Sequence, residues 1–290
     1  MWRRTAPLHG TQENDRPRPT ATKRERQSRH QRLTMTIWDL DPRVQSYLEG
    51  RMGLPLAAFP RASMGVRESP KRTDEHGNRL FIVRIADGAL ATGIPRIVAA
   101  IAPVLRSMTI SELFSPLGQA ELGRAMEPGG IAPLALGFDY TLAGQRDFRP
   151  VKTRHTPVAL TRKDIPPEQL QLRMSERRPH VEAKQEDFVW AFACYHDDAD
   201  ATATELAPFG PRCASIAVII WKAPDLAEFG VGTEEGFRGR GYGLAAVSAA
   251  TKFVLEQGAV AWYGAYATNV PSLRIARRLG YGLAWQTIWD

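Results

Sequence analysis

Hydrophobic positions recur with helical and strand periods from residue 38 to residue 290. Apolar residues at helical spacing put Val44, Tyr47 and Leu48 on one face of a predicted helix over 39–51. Shorter apolar runs bounded by Gly, Pro and charged residues predict strands. The predicted strands cover 79–85, 136–142, 157–160, 188–195, 214–222, 226–233, 259–267 and 281–289; the other predicted helices cover 95–105, 111–125 (two short ones), 163–174, 242–257 and 271–279; 52–78 is predicted as loop.

These elements mix strands and helices without strict alternation, which favours an α/β protein of the mixed α+β kind. The chain has 290 residues, enough for one large domain or two small ones. We divide it into a tail at 1–35, a small α/β domain at 36–150 and a second domain at 155–290. A strand–turn–helix unit at 79–105 resembles the unit at 226–257, which leaves open an internal duplication.

The formal net charge of +7 raises the question of a nucleic-acid partner. Residues 1–34 hold nine Lys or Arg against three acids, so the rest of the chain is nearly neutral. The tail is rich in Arg, Gln, Thr and Pro and poor in core-forming residues, which predicts disorder. Nucleic-acid binding is therefore not expected of the folded part. The tail is either a binding or targeting arm or a solvated extension, and Met35 is an alternative start.

Two cysteines, Cys194 and Cys213, lie in apolar, strand-like runs. Without a CxxC pair or nearby His ligands, they predict buried free thiols and no metal site. Free thiols fit the reducing cytoplasm, where we expect the protein. No apolar run approaches the roughly 20 residues of a membrane helix, and the N-terminus lacks a secretory apolar region, so no membrane association is expected.

The segment 225–258 carries the most specific chemistry in the sequence. It reads as a strand, a glycine-rich turn and a helix that begins directly at the turn. A helix start leaves about four backbone N–H groups unpaired and carries the positive end of the helix dipole, so it attracts phosphate. Gly239, Gly241 and Gly243 let the backbone approach an anion, while Arg238 and Arg240 add positive charge.

Three phosphate-binding motifs compete for this turn. A Walker loop is excluded because the turn has no Gly-Lys-Ser/Thr sequence. Gly241-x-Gly243-x-x-Ala246 nearly satisfies the dinucleotide pattern, but the next strand, 259–267, lacks the acid that binds a ribose. The third motif is Arg-x-x-Gly-x-Gly over 238–243.

That hexapeptide resembles the pyrophosphate-binding signature of the GNAT-superfamily N-acyltransferases, Gln/Arg-x-x-Gly-x-Gly/Ala. Asn269-Val270-Pro271-Ser272 and Leu279-Gly280-Tyr281 resemble the family's second motif, in the same order and at the same spacing. The resemblance covers about 155–290. It implies a GNAT-like twisted mixed sheet with helices on both faces, preceded here by a smaller α/β domain that is a candidate degenerate GNAT-like half.

The resemblance implies that acetyl-CoA is the acyl donor and that no metal is needed. In the family, a strand that splays from its neighbour binds the pantetheine arm, and the matching residues here are Val231, Gly232 and Thr233. Asn269 and Ser272 match residues near the pantetheine end. The pyrophosphate is expected on the backbone of Arg238, Gly239, Arg240, Gly241, Tyr242 and Gly243.

The implied reaction is direct transfer, in which an amine attacks the thioester carbonyl and a base removes its proton. Family members often carry a glutamate on the strand before the signature, which points to Glu228 as the base. The usual acid, a Tyr in the last helix, is replaced by Ala276. Tyr281 is therefore our candidate acid. Alternatives are Glu234 and Glu235 for the base, and Tyr266 or solvent for the acid.

Three functions stay open at this level. The first is an acetyl-CoA-dependent N-acetyltransferase. The second is a non-catalytic acyl-CoA-binding regulatory module with the same fold, which Ala276 favours. The third, a nucleic-acid-associated protein, conflicts with the nearly neutral body of the chain. The sequence determines neither the amine acceptor, small molecule or protein, nor the oligomeric state, and we expect 36–150 to shape the acceptor side.

Overall fold

A computed structural model describes residues 39–68, 79–126, 134–164, 189–197 and 206–290. All of these residues lie in one compact unit, Met35–Asp290. The predicted tail at 1–35 and most of the predicted helix at 163–174 fall outside the described residues.

The elements follow one another in a mixed order of strands and helices. The described helices are α1 (Pro42–Met52), α2 (Pro95–Ser107), α3 (Ile110–Leu113), α4 (Pro116–Met126), α5 (Tyr242–Glu256) and α6 (Val270–Leu279). The described strands are β1 (Met64–Glu68), β2 (Leu80–Ile85), β3 (Gly88–Gly93), β4 (Ala135–Leu142), β5 (Val158–Thr161), β6 (Val189–Tyr195), β7 (Cys213–Ala223), β8 (Leu226–Thr233), β9 (Val260–Tyr266) and β10 (Gly282–Trp289).

All ten described strands join one mixed sheet in the order β1-β3-β2-β10-β4-β9-β8-β7-β6-β5. The pairs β1–β3 and β8–β9 are parallel, and the other pairs are antiparallel. Strand β4 lies between β10 and β9, so a strand from 36–150 sits in the middle of strands from the C-terminal segment. The sheet is therefore continuous across the chain position near residue 150.

Helices cover both faces of this sheet, as the sequence predicts. On one face α1 buries Val44 and Leu48 against a cluster that includes Trp262 and Trp285. Successive residues of a strand point to opposite faces, so Ala261 and Tyr263 of β9 pack on the other side, against α5 and α6. The helices α2 to α4 cover β2, β3 and β10 through a separate cluster that includes Leu80, Ile82 and Ile288.

Most predicted elements are confirmed, but two strands were missed. Strand β3 reads GALATG, and its small residues show no strand-like alternation although all six are buried. Strand β1 lies inside the predicted loop at 52–78 and is recruited by parallel pairing with β3. Both depend on tertiary pairing that the local pattern does not encode.

The sequence prediction for the two cysteines is confirmed. Cys194 and Cys213 are buried free thiols, as predicted, and burial raises the pKa of each to about 12. Among the helices of the described residues, none is long and apolar enough to span a membrane.

Candidate active site

Strands β8 and β9 diverge to form a wedge in the middle of the sheet. They pair over three positions, Leu226 with Val260, Ala227 with Ala261 and Glu228 with Trp262. Beyond Glu228 the rest of β8 pairs with β7, and the rest of β9 pairs with β4. A wedge of this kind exposes the edge of β8 to any extended group that enters it.

A cavity of about 480 Å³ passes through the wedge and reaches both faces of the sheet. From β8 and β9 it is lined by residues of both orientations, including Glu228 and Gly264 on the α1 face and Val231 and Tyr263 on the α5–α6 face. Its further lining on the α1 face includes Tyr47, Arg51, Phe81, Asp139, Lys222, Trp262, Trp285 and Thr287. Residues from both faces of the sheet thus line one cavity.

The glycine-rich turn stands at the end of β8, beside this wedge. Gly239 and Gly241 have φ values of 74° and 92°, which residues with a Cβ rarely adopt. Gly241 is the N-cap of α5 and makes no side-chain capping hydrogen bond. The first turn of a 15-residue helix is thereby left open toward an anion.

Gly243 has a different role in the same turn. A Cβ at this position would lie 2.9 Å from Thr233 Oγ1, so the glycine lets α5 pack closely against the end of β8. The Thr233 hydroxyl in turn lies 2.8 Å from Ser215 Oγ on β7. Close packing at this point holds the helix start next to the wedge.

Aromatic rings surround the turn. The His155 ring stacks on Tyr242 with centroids 3.7 Å apart, and His155 Nε2 lies 3.0 Å from the Arg240 carbonyl oxygen. The Arg240 guanidinium lies over the Phe237 ring at 5.4 Å. These contacts support the turn from both sides and keep the Arg240 side chain close to it.

Asn269 and Ser272 stand across the wedge, at the start of α6. Asn269 is the N-cap of this helix, and its Oδ1 accepts a hydrogen bond from Ser272 N at 3.3 Å. Both residues also line the cavity. Asn269 therefore caps α6 and lines the cavity at the same time.

Two carboxylates converge on the α1 face of the cavity. Asp139 lies on β4 opposite Gly264, and Glu228 lies on β8 opposite Trp262. A Cβ built on Gly264 would lie 3.0 Å from Glu228 Oε1 and 3.1 Å from Asp139 Oδ1. The missing side chain of Gly264 thus leaves a space between two acidic groups.

Burial raises the pKa of Asp139 to about 7, and repulsion from Glu228 adds to the increase. The Trp262 indole N–H donates to Asp139 Oδ1 at 3.0 Å, and the Thr287 hydroxyl donates to Oδ2 at 3.0 Å, which opposes the rise. A carboxyl group that titrates near neutrality suits proton removal from an amine.

Glu228 has a stable charged partner. The buried Lys222 ammonium lies 3.1 Å from Glu228 Oε2, and the same Nζ lies 5.6 Å from the centre of the Trp262 ring. An ion pair with Lys222 therefore holds Glu228 beside Asp139.

Of the predicted site residues, Glu228, Val231, Asn269 and Ser272 line the cavity, whereas the residues of the glycine-rich turn and Tyr281 do not. Tyr281 is buried under α5, where its hydroxyl lies 2.7 Å from Thr251 Oγ1, and burial raises its pKa. It does not line the cavity. The alternative base Glu234 is buried and accepts a hydrogen bond from Leu206 N, while Glu235 is exposed. Tyr266 lines the cavity but is 55% exposed.

Sequence reasoning missed Asp139, Lys222 and Gly264. The one available signal was Asp139, a single acid inside the apolar strand run LALGFDYTL. Acidic residues are rarely fully buried without a partner or a function. Across the described ranges, no group of three His, Cys, Asp or Glu side chains is arranged to hold a metal ion.

A known family model matches the C-terminal part of the chain. Residues 219–290 match the model of a family described as FR47-like protein, which is related to the GNAT superfamily. This segment contains β8, the glycine-rich turn, α5, β9 and α6. No curated protein matches the chain.

Solved structures of GNAT proteins share low identity with this chain. A GNAT-family protein from Novosphingobium aromaticivorans is 20% identical over 54% of this chain and 63% of its own, with a TM-score of 0.37. A GNAT-family acetyltransferase from Colwellia psychrerythraea is 11% identical over 55% and 56%, with a TM-score of 0.38. A GCN5-related N-acetyltransferase from Kribbella flavida is 18% identical over 54% and 60%, with a TM-score of 0.34.

The chain spans less than two thirds of the length of each of these three structures. Identities at this level do not carry over an activity, a donor or an acceptor. The chemistry must be inferred from the residues of this chain.

Proposed function

We propose that this protein moves an acetyl group from acetyl-CoA directly to an amine, and the match of residues 219–290 to the FR47-like family model, which is related to the GNAT superfamily, supports this proposal. The observation that carries the proposal is the wedge between β8 and β9. The α5 start follows the end of β8 on one side of the sheet, and two converging carboxylates line the cavity on the other.

The donor side of the proposal rests on α5 and on the edge of β8. The unpaired N–H groups and positive dipole of the α5 start suit a pyrophosphate, and Arg238 and Arg240 add charge beside it. Val231, Gly232 and Thr233 lie on the part of β8 that has left β9, so their backbone suits an extended pantetheine arm. Asn269 and Ser272 border the opposite side of this path.

The acceptor side rests on the carboxylates. An ammonium group placed over Gly264 lies within reach of both Asp139 and Glu228. We propose that Asp139 removes its proton and that Glu228, which is paired with Lys222, binds the cationic form. The neutral amine then attacks the thioester carbonyl carbon, a C–N bond forms, and the C–S bond breaks.

Residues from 36–150 contribute to this acceptor side. Tyr47 and Arg51 of α1, Phe81 of β2 and Asp139 of β4 line the cavity. We propose that this part of the chain shapes the acceptor pocket, as the sequence suggests. The only property that we assign to the acceptor is its amine group. The buried free thiols suit a protein that acts in the reducing cytoplasm.

The test has a binding arm and a turnover arm. Calorimetry with CoA and acetyl-CoA measures donor binding, and thiol release with a panel of small amines and lysine peptides, checked by mass spectrometry, measures transfer. We expect binding, and turnover with at least one class of amine. Asp139→Asn should retain CoA affinity and lose turnover by a factor on the order of 100 or more.

Failure in each arm has a distinct meaning. If neither CoA nor acetyl-CoA binds, the proposed site is wrong. If both bind and no amine in the panel is acetylated, the non-catalytic acyl-CoA-binding module becomes the better description.

A further inference from the structure

Tyr263 presents a buried hydroxyl on the donor side of the wedge, three residues before the end of β9. The residue is 1% exposed, and its hydroxyl forms no hydrogen bond with the described residues. An unpaired buried hydroxyl destabilises the fold, so a native structure seldom keeps one without a use.

The surroundings of this hydroxyl belong to the donor path. The side chain points to the α5–α6 face, where its ring meets the edge of Tyr281. The Ser272 side chain faces the Tyr263 hydroxyl without completing a hydrogen bond and acts to lower its pKa, while burial raises it. Tyr263, Asn269 and Ser272 line the same cavity.

We infer that Tyr263 donates its hydroxyl proton to the sulfur of CoA as the acyl group leaves. The inference rests on the proposed acetyl transfer and deepens it. When the C–S bond of the tetrahedral intermediate breaks, the sulfur keeps the electron pair and takes the Tyr263 proton. The Ser272 hydroxyl then returns a proton to the phenolate from solvent, so the products are the amide and the free thiol of CoA.

Position and protonation both favour this assignment. Val231 of β8 and Tyr263 of β9 flank the wedge on the same face, so an arm lying along β8 passes the Tyr263 side chain. Because burial raises its pKa, the Tyr263 phenol stays protonated over the pH range in which the amine reacts. Ala276 of α6 is fully buried in the core and does not line the cavity.

Binding measurements test the assignment without requiring an acceptor. CoA and desulfo-CoA differ in the sulfur, so their affinity ratio reports any contact with it. We expect wild-type protein to bind CoA roughly five- to tenfold more tightly, and Tyr263→Phe to reduce that ratio to about one. The pKa of the bound CoA thiol, followed by thiolate absorbance, should rise in Tyr263→Phe because a donor to the thiolate is lost.

Control variants separate this role from a structural one. Tyr195→Phe removes a hydroxyl that donates to the Phe209 carbonyl oxygen, away from the wedge, and should leave the ratio unchanged. Ser272→Ala should reduce the ratio less than Tyr263→Phe. Once an acceptor is known, kcat in Tyr263→Phe should fall about a hundredfold with little change in KM.

The outcomes distinguish this inference from the proposed function. If wild-type protein binds CoA and Tyr263→Phe keeps both the affinity ratio and the thiol pKa, the assignment of Tyr263 is wrong and acetyl transfer stands. If wild-type protein binds neither CoA nor desulfo-CoA, the proposed function fails, and the Tyr263 assignment fails with it.

Discussion

Asp139 and Glu228 approach the same point above Gly264 from two strands that flank β9. Asp139 Oδ1 and Glu228 Oε1 lie 3.1 and 3.0 Å from the position that a Gly264 Cβ would occupy. Their proximity, together with burial, raises the pKa of Asp139 to about 7. A pair of carboxyl groups that interact this closely titrates as a coupled unit.

Glu228→Gln should shift the pH dependence of transfer. Activity needs ionised Asp139, so kcat/KM falls as the pH drops through about 7 in the wild type. The substitution removes the repulsion and keeps the positive charge of Lys222 nearby, so the pKa of Asp139 falls and the acid limb moves to lower pH. A pH profile of kcat/KM measures the shift, with Glu256→Gln as a surface control. An acid limb that stays in place would contradict the pairing.

Asp139→Asn should stabilise the fold at neutral pH while it abolishes activity. The folded protein keeps the Asp139 proton up to about pH 7, whereas the unfolded chain loses it near 3.8. Wild-type stability therefore falls as the pH rises through this window, by roughly 4 kcal/mol at most. Thermal unfolding from pH 4 to 8 should show the difference between variant and wild type growing up to pH 7 and then levelling off. A constant difference would mean that Asp139 is ionised throughout.

Gly264→Ala should block the acceptor position without unfolding the protein. The added Cβ would meet Glu228 and Asp139 oxygens at 3.0 and 3.1 Å, so the carboxylates must move and the amine loses its place. We expect kcat/KM to fall by a factor on the order of 100, because small displacements of reacting groups have effects of this size. Gly123→Ala, which meets no atom within 4 Å, is the control. Unchanged turnover in Gly264→Ala would place the acceptor elsewhere.

Variants at the two glycines that flank α5 distinguish the effect of backbone strain from the effect of phosphate binding. Gly241 at the start and Gly258 just beyond the end have φ values of 92° and 73°, so alanine strains either position by roughly 1–2 kcal/mol. Both variants should therefore melt at lower temperature. Only Gly241→Ala should weaken CoA binding, by roughly tenfold, as measured by calorimetry. Equal CoA affinity in the two variants would contradict phosphate binding at the α5 start.

Tyr281→Phe tests the acid that the sequence points to. Its hydroxyl lies 2.7 Å from Thr251 in the core, so the variant should lose roughly 1–2 kcal/mol of stability. Turnover should stay within about twofold of wild type, because Tyr281 does not line the cavity. A loss of kcat near a hundredfold, with normal CoA affinity, would return the acid role to Tyr281.

The glycine-rich turn before α5 could be predicted from the sequence because its properties are local. Positive φ at Gly239 and Gly241 and the helix start at Tyr242 arise within a few consecutive residues. The capping role of Asn269 is local for the same reason. The strand assignment at 226–233 also followed from a local apolar run, and it matches β8.

Tertiary structure decided which side chains meet in the wedge. Asp139 reaches Glu228 only because β4 inserts between β10 and β9 in one register, and a shift by one residue would point it to the opposite face. On the other face, Tyr263 lines the cavity, whereas Tyr281, whose ring contacts Tyr263, directs its hydroxyl to Thr251 under α5. The sequence by itself thus determined the glycine-rich turn, whereas long-range strand pairing decided which carboxylates converge and where the Tyr263 hydroxyl lies, because register is a property of the whole sheet.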